Sequence, residues 1–203
     1  MLTLAIAITI AITGASAAPD AGSFAALLHK AEAGADVDFV ALRQAYLKSD
    51  GPKRALEVRP DIRQQRKKLW AAMQAHDDQG VLDAANNIIL LSPIDLEARR
   101  ARWQACKALK QDDCAKTGQA FELKMLQAIT DHGDGKSCGT AFVVVSVDEE
   151  RFLLRTAGQA QTAQALTKID GHACDKIDTR GKGGSVGVTW FRVDDVLGTE
   201  GAR

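Results

Sequence analysis

The stretch HGDGKSCGTAFVVV at residues 132–145 holds Gly135-Lys136-Ser137, the tail of a phosphate-binding signature. A nucleotide loop needs another glycine five positions before Gly135. It also follows a strand and opens a helix, so that backbone N–H groups and the helix dipole meet the phosphates. Here position 130 is Thr, and the residue pattern predicts a helix before the loop and a strand after it. The order is reversed, and no nucleotide is expected. A calcium loop fails as well. With Asp134-Gly135 at its fifth and sixth positions, the first and third would be Thr130 and His132, and the late acid would be Ala141. Gly133-Asp134-Gly135 reads instead as helix termination and turn chemistry.

Metal chemistry is the next possibility. Asp131, His132, Asp134, His172 and Asp175 would converge if the strand starting near Thr140 adjoined residues 172–175. Two histidines with a carboxylate hold zinc, which makes His132, Asp134 and His172 the smallest candidate set. With four histidines and many loop aspartates, such a cluster also arises by coincidence, and neither a metal nor a cofactor is expected. No GxSxG or comparable setting surrounds a serine, so no catalytic residue is assigned. The glycine-rich Gly181-Lys182-Gly183-Gly184 has no helix pattern after it and reads as a hairpin connection.

Four cysteines remain: Cys106, Cys114, Cys138 and Cys174. None forms a CxxC pair, so structural bridges are the better reading. Cys106 sits near the end of one predicted helix and Cys114 in the first turn of the next, close enough across the turn for a bridge. Cys138 precedes the first strong strand pattern, and Cys174 lies in a later one. Pairing like with like gives Cys106–Cys114 and Cys138–Cys174; four free thiols or a crossed pairing are the rivals.

Disulfides fit an oxidising compartment. The leader MLTLAIAITIAITGASAA has no charged side chain, and both Ala15-Ser16-Ala17 and Ser16-Ala17-Ala18 satisfy the small-x-small rule before Pro19. Residues 1–18 are therefore expected to be a signal peptide cleaved near Ala17 or Ala18, directing the chain to the periplasm or outside. An uncleaved anchor is the alternative, and the n-region lacks a Lys or Arg. After signal removal no membrane contact is expected. The 26 basic and 26 acidic side chains balance, which argues against a nucleic-acid partner. Arg59, Arg63, Arg66, Lys67 and Lys68 form a local basic cluster on a helix whose other side carries Ile62, Leu69 and Met73; it reads as a solvated face.

The elements that would position these residues come in two kinds. Residues 19–131 read as helices, rich in Ala, Leu, Gln, Lys and Arg. Asp36 or Asp38 caps a helix carrying Phe39, Leu42 and Tyr46, and Ser49-Asp50-Gly51-Pro52 breaks it. Further helices are expected near 60–76, 81–91, 95–110 and 112–130. At an offset of 33, KKLWAAMQAHDDQGVLDAANNIIL lies over RARWQACKALKQDDCAKTGQAFEL, aligning Trp70 with Trp103, Ile88 with Phe121 and Leu90 with Leu123. These look like degenerate tetratricopeptide-type repeats, in which both tryptophans should be buried. An ordinary helical bundle has the same periodicity. Residues 132–197 read as a small antiparallel sheet packed on the helices. A central strand is expected over 140–147, a turn at 148–150, a returning strand over 151–155, and further strands over 164–169, 173–179 and 185–193. The fold class is α+β, as one compact domain.

The run GDGKS…TAFVVVSVDEERFLLRTAG, followed by QAL, GHACDKID and VTWFRV, resembles a bacterial exported family known as domain of unknown function 4919. The resemblance spans roughly residues 37–193 and is strongest from Gly133 to Gly158. The chain departs from the family pattern at Gly139, where Glu is usual, at Arg151-Phe152, near the usual tyrosine, and at Cys138 and Cys174. The resemblance implies helices followed by a small sheet, and no reaction. The expected function is a non-enzymatic protein- or peptide-interaction module of the periplasm or envelope. The alternatives are an unrecognised hydrolase or metal-dependent enzyme at the helix–sheet junction, and a structural envelope protein.

Overall fold

The computed structural model describes residues 20–200. The expected signal peptide, residues 1–18, and its expected cleavage site lie outside the described residues. Among these, nine α-helices and a four-stranded sheet form an α+β fold.

Seven helices come first: α1 Phe24–Glu32, α2 Phe39–Leu47, α3 Gly51–Glu57, α4 Arg59–Gln74, α5 Asp78–Leu91, α6 Leu96–Ala108 and α7 Asp112–Thr130. Their starts follow capping chemistry. Asp38 accepts hydrogen bonds from the N–H groups of Val40 and Ala41, Asp77 from Gly80, and Asp95 from Ala98. The Gly51-Pro52 break starts the short α3, since proline is tolerated in a first turn. Helices α4 to α7 pack in succession, α4 on α5, α5 on α6 and α6 on α7. Ala84, Ala85, Ala98 and Ala101 are buried between them and let the helices approach closely.

The aligned positions share burial at two pairs of three. Ile88 and Phe121 are both buried, and Leu90 and Leu123 are both exposed. The tryptophans differ, against expectation. Trp103 is half-buried: its Cβ packs on Gly118 and its indole N–H donates to Glu122 at 2.6 Å. The positions that correspond to Gly118 and Glu122 at this offset are Ala85 and Ile89, whose side chains offer neither the gap nor the acceptor, and Trp70 stands 50% exposed.

The second half corrects two strand expectations. Only Phe142–Val143 forms β1, and residues 147–156 form α8, Val147–Thr156, rather than a turn and a strand. Ser146 caps α8 by accepting from the Glu149 N–H at 3.2 Å, and the acids at 148–150 fill its first turn. That S-x-x-E spacing is a helix-start signal that outweighs the local β-propensity. Strands β2 Gln159–Ile169, β3 His172–Gly181 and β4 Val186–Arg192 follow, then α9 Asp194–Glu200. The sheet order is β1-β4-β3-β2. Strands β2, β3 and β4 run antiparallel, and β1 joins the β4 edge in parallel. One core lies between the sheet's inner face and α1, α2, α7 and α8, built on Leu42, Met125, Ile129, Val144 and Phe191. A second core lies within α4, α5 and α6.

Candidate functional site

The loop that carries the phosphate-like signature is a structural turn. Asp134 accepts from the Thr140 hydroxyl at 2.6 Å and from the Lys136 N–H at 3.0 Å. Those bonds, from Thr140 first and then Lys136, hold the Asp134 carboxyl down at about 2. The N–H groups of Asp134 and Gly135 both donate to the Thr140 carbonyl, and the Gly135 carbonyl accepts from the Trp190 N–H at 2.9 Å. Gly135 has φ +66°, and a Cβ there would meet Phe142 at 2.5 Å. Only glycine fits. The loop is thus committed to closing on itself and to hydrogen bonding with β4.

Both disulfides are present, Cys106–Cys114 with Cα atoms 5.9 Å apart and Cys138–Cys174 at 5.8 Å. The first ties α6 to the start of α7, and the second pins the 132–140 loop to β3. The metal candidates do not assemble. His132 is exposed, Asp134 is engaged within its own loop, and His172 Nδ1 pairs with Asp194 at 2.8 Å. Among the described residues, no group of three or more His, Cys, Asp or Glu side chains is placed to hold a metal ion.

What the sequence reading missed is a set of buried charges around α8. Arg43 of α2 is 4% exposed and reaches Glu149, itself 2% exposed, through Nη2–Oε2 at 2.7 Å and Nε–Oε1 at 3.3 Å. The same guanidinium donates to the carbonyls of Ala128 and Val143, and Glu149 accepts from the Val145 N–H at 2.9 Å. One side chain therefore joins α2, the end of α7, β1 and α8. The neighbouring Glu150 is 1% exposed and faces Asp175 of β3. Burial first, and then the Asp175 charge, pushes the Glu150 carboxyl up to about 8. Its Oε1 has no hydrogen-bond partner. Asp175 in turn accepts from Gln164 at 2.5 Å.

Beside this latch lies an open cleft of about 500 Å³. Its walls are α3, α4, the α5–α6 turn and the start of α8. Leu56, Ile62, Ile94, Leu96 and Val147 give it apolar surface, and Arg63, Arg66 and Arg151 bring cations to it. Arg66 is held in place by Asp95 at 2.5 Å, Asp148 at 3.0 Å and Glu97 at 3.3 Å, so it links α4 to the starts of α6 and α8. Burial raises the Asp95 carboxyl above its ordinary value, with Arg66 opposing the shift. Tyr46 at the inner wall is pushed up to about 12 by burial, then by Glu149 and Asp95, and stays a neutral phenol. The basic cluster is thus not simply a solvated face. Arg66 is drawn into ion pairs, and Met73, expected on the buried side, is 39% exposed. Arg63 is exposed and makes no hydrogen bond or ion pair with any described residue.

The signals for the latch were thin in sequence. Arg43 stands alone in an apolar helix, and Ser146-x-x-Glu149 carries the cap spacing, but nothing local says that the two meet across 106 positions. No match was found among curated proteins or among solved structures. A family model described as Domain of unknown function (DUF4919) matches residues 54–200, from within α3 through α9, and thus takes in α4, the GDG turn, α8 and the sheet. The chain belongs to the domain of unknown function family DUF4919.

Proposed function

We propose that the protein is an exported, non-enzymatic binding module that takes a protein or peptide partner of the periplasm or envelope in the cleft between α3, α4 and α8. The observation that carries this reading is the cleft itself, about 500 Å³ with a mixed apolar and charged lining and the exposed Arg63 in its wall. A recess of that size with a few placed polar groups is the usual form of a binding site. The strongly shifted carboxyl, Glu150, is sealed under α8 and does not line the cleft, so it is not placed to act on a bound molecule. Two disulfides fit an oxidising compartment, and among the described residues no helix is long and apolar enough to cross a membrane.

Site-specific photo-crosslinking in intact envelopes tests the proposal. A benzophenone residue at Ala55 or Arg63, both in the cleft wall, should give a protein adduct, and one at the exposed Lys168 of β2 should not. Adducts at Lys168 with none at the cleft positions would refute it.

A further inference from the structure

Helix α4 carries five basic residues and one acid, in a chain whose total charge is zero. At 100° per residue, Arg59, Arg63, Arg66, Trp70 and Met73 fall within about 80° of one another around the helix axis. Their span from Arg59 to Trp70 is about 17 Å at 1.5 Å per residue. The first three line the cleft, and the stripe then continues out of it to Trp70 and Met73, 50% and 39% exposed. The residues that pack α4 onto the helix stack, Ile62 and Leu69, lie on the adjoining side and are buried.

We infer that the stripe is a recognition surface for an acidic, leucine-like peptide segment. An acidic side chain would meet Arg63, since Arg66 is already paired with Asp95, Glu97 and Asp148, and an apolar side chain would seat against Trp70. This rests on the cleft reading above and adds the chemistry of the partner. Charge complementarity is the argument. The cationic helix faces outward, Arg63 has no described partner, and the only exposed tryptophan among the described residues lies in line with it. Tryptophan and arginine are the residues most often dominant at binding interfaces, and an exposed charge sets steering and salt dependence.

The test uses the mature chain and a fluorescein-labelled peptide of about eight alternating Glu and Leu residues, long enough at about 3.3 Å per residue to follow the stripe. Anisotropy should show binding that weakens as salt rises. Arg63→Glu and Trp70→Ala should each weaken it by about tenfold or more, while Arg63→Lys retains most of it. Both positions are exposed, so circular dichroism should show all three variants folded. A Lys-Leu peptide that binds equally well would overturn the inference, as would unchanged affinity in both loss variants. Sedimentation with phosphatidylglycerol vesicles in the absence of peptide binding would overturn it in favour of a lipid surface. Crosslinks at Ala55 with no binding of the acidic peptide would remove this inference and leave the cleft reading standing; absence of both removes both.

Discussion

Replacing Glu150 by Gln tests the buried carboxyl under α8 through the pH dependence of stability. The folded-state carboxyl titrates near 8, against an ordinary value of 4.5, because burial and then Asp175 disfavour its charge. Between those limits the folded chain holds a proton that the unfolded chain has released. The folded state binds more protons, so stability must fall as pH rises from about 4.5 to about 8. At about 1.4 kcal/mol per pH unit, this costs roughly 3 kcal/mol by pH 7 and up to about 5 kcal/mol once the carboxyl is ionised. Glutamine keeps the shape, cannot ionise, and presents an N–H to Asp175 as the protonated acid presents its O–H. Urea unfolding followed by circular dichroism, at a series of pH values from about 5 to about 9, reads the difference between wild type and Glu150→Gln. The two should be close at the acid end, and the variant should gain progressively toward the alkaline end. Subtracting one curve from the other removes the titration common to both, Asp95 and Asp194 included. A flat difference, or a wild type that gains on the variant as pH rises, would refute the reasoning.

Arg43→Met leaves Glu149 charged and buried without its partner and should cost about 3–5 kcal/mol by denaturant unfolding; adding Glu149→Gln should restore part of that. Gly135→Ala forces a Cβ against Phe142 at a positive φ and should cost about 1–3 kcal/mol, read as a lowered melting temperature. Non-reducing peptide mapping should find Cys106 linked to Cys114 and Cys138 to Cys174. Their sequence separations of 8 and 36 give loop-entropy contributions of about 2.6 and about 3.8 kcal/mol, so breaking the second bridge should be the more destabilising.

The legible parts of the fold were those written locally. Asp38 announces the start of α2 through its side-chain cap, and Ser92-Pro93 ends α5, whereas the cap at Asp77 starts that helix at Asp78, three residues before the expected 81. The Cys106–Cys114 bridge follows from a helix turn, and the 181–184 glycines do form the β3–β4 connection. Misreading began at Val143-Val144-Val145. That branched run looks like a strand through its length, yet Val144 and Val145 are buried by the core as the chain turns toward the Ser146 cap. Sheet pairing accounts for Val143 and the one hydrogen bond from the Val144 N–H to the Arg192 carbonyl, and burial for Val144 and Val145. The same mistake made acids 148–150 look like a polar turn, when Glu149 and Glu150 are among the most buried side chains in the molecule. The cleft was illegible for another reason. Its walls come from α3, α4, the α5–α6 turn and α8, and such distant segments meet only through tertiary packing.

Hydrogen exchange of the chain from residue 19 onward, alone and with any protein trapped by crosslinking, tests the proposed binding cleft most directly. Slowed exchange should appear together in residues 52–66 and 145–151, which wall the cleft from its two sides. Protection confined to the open edge of the sheet, residues 159–169 of β2, with none at the cleft, would contradict the account.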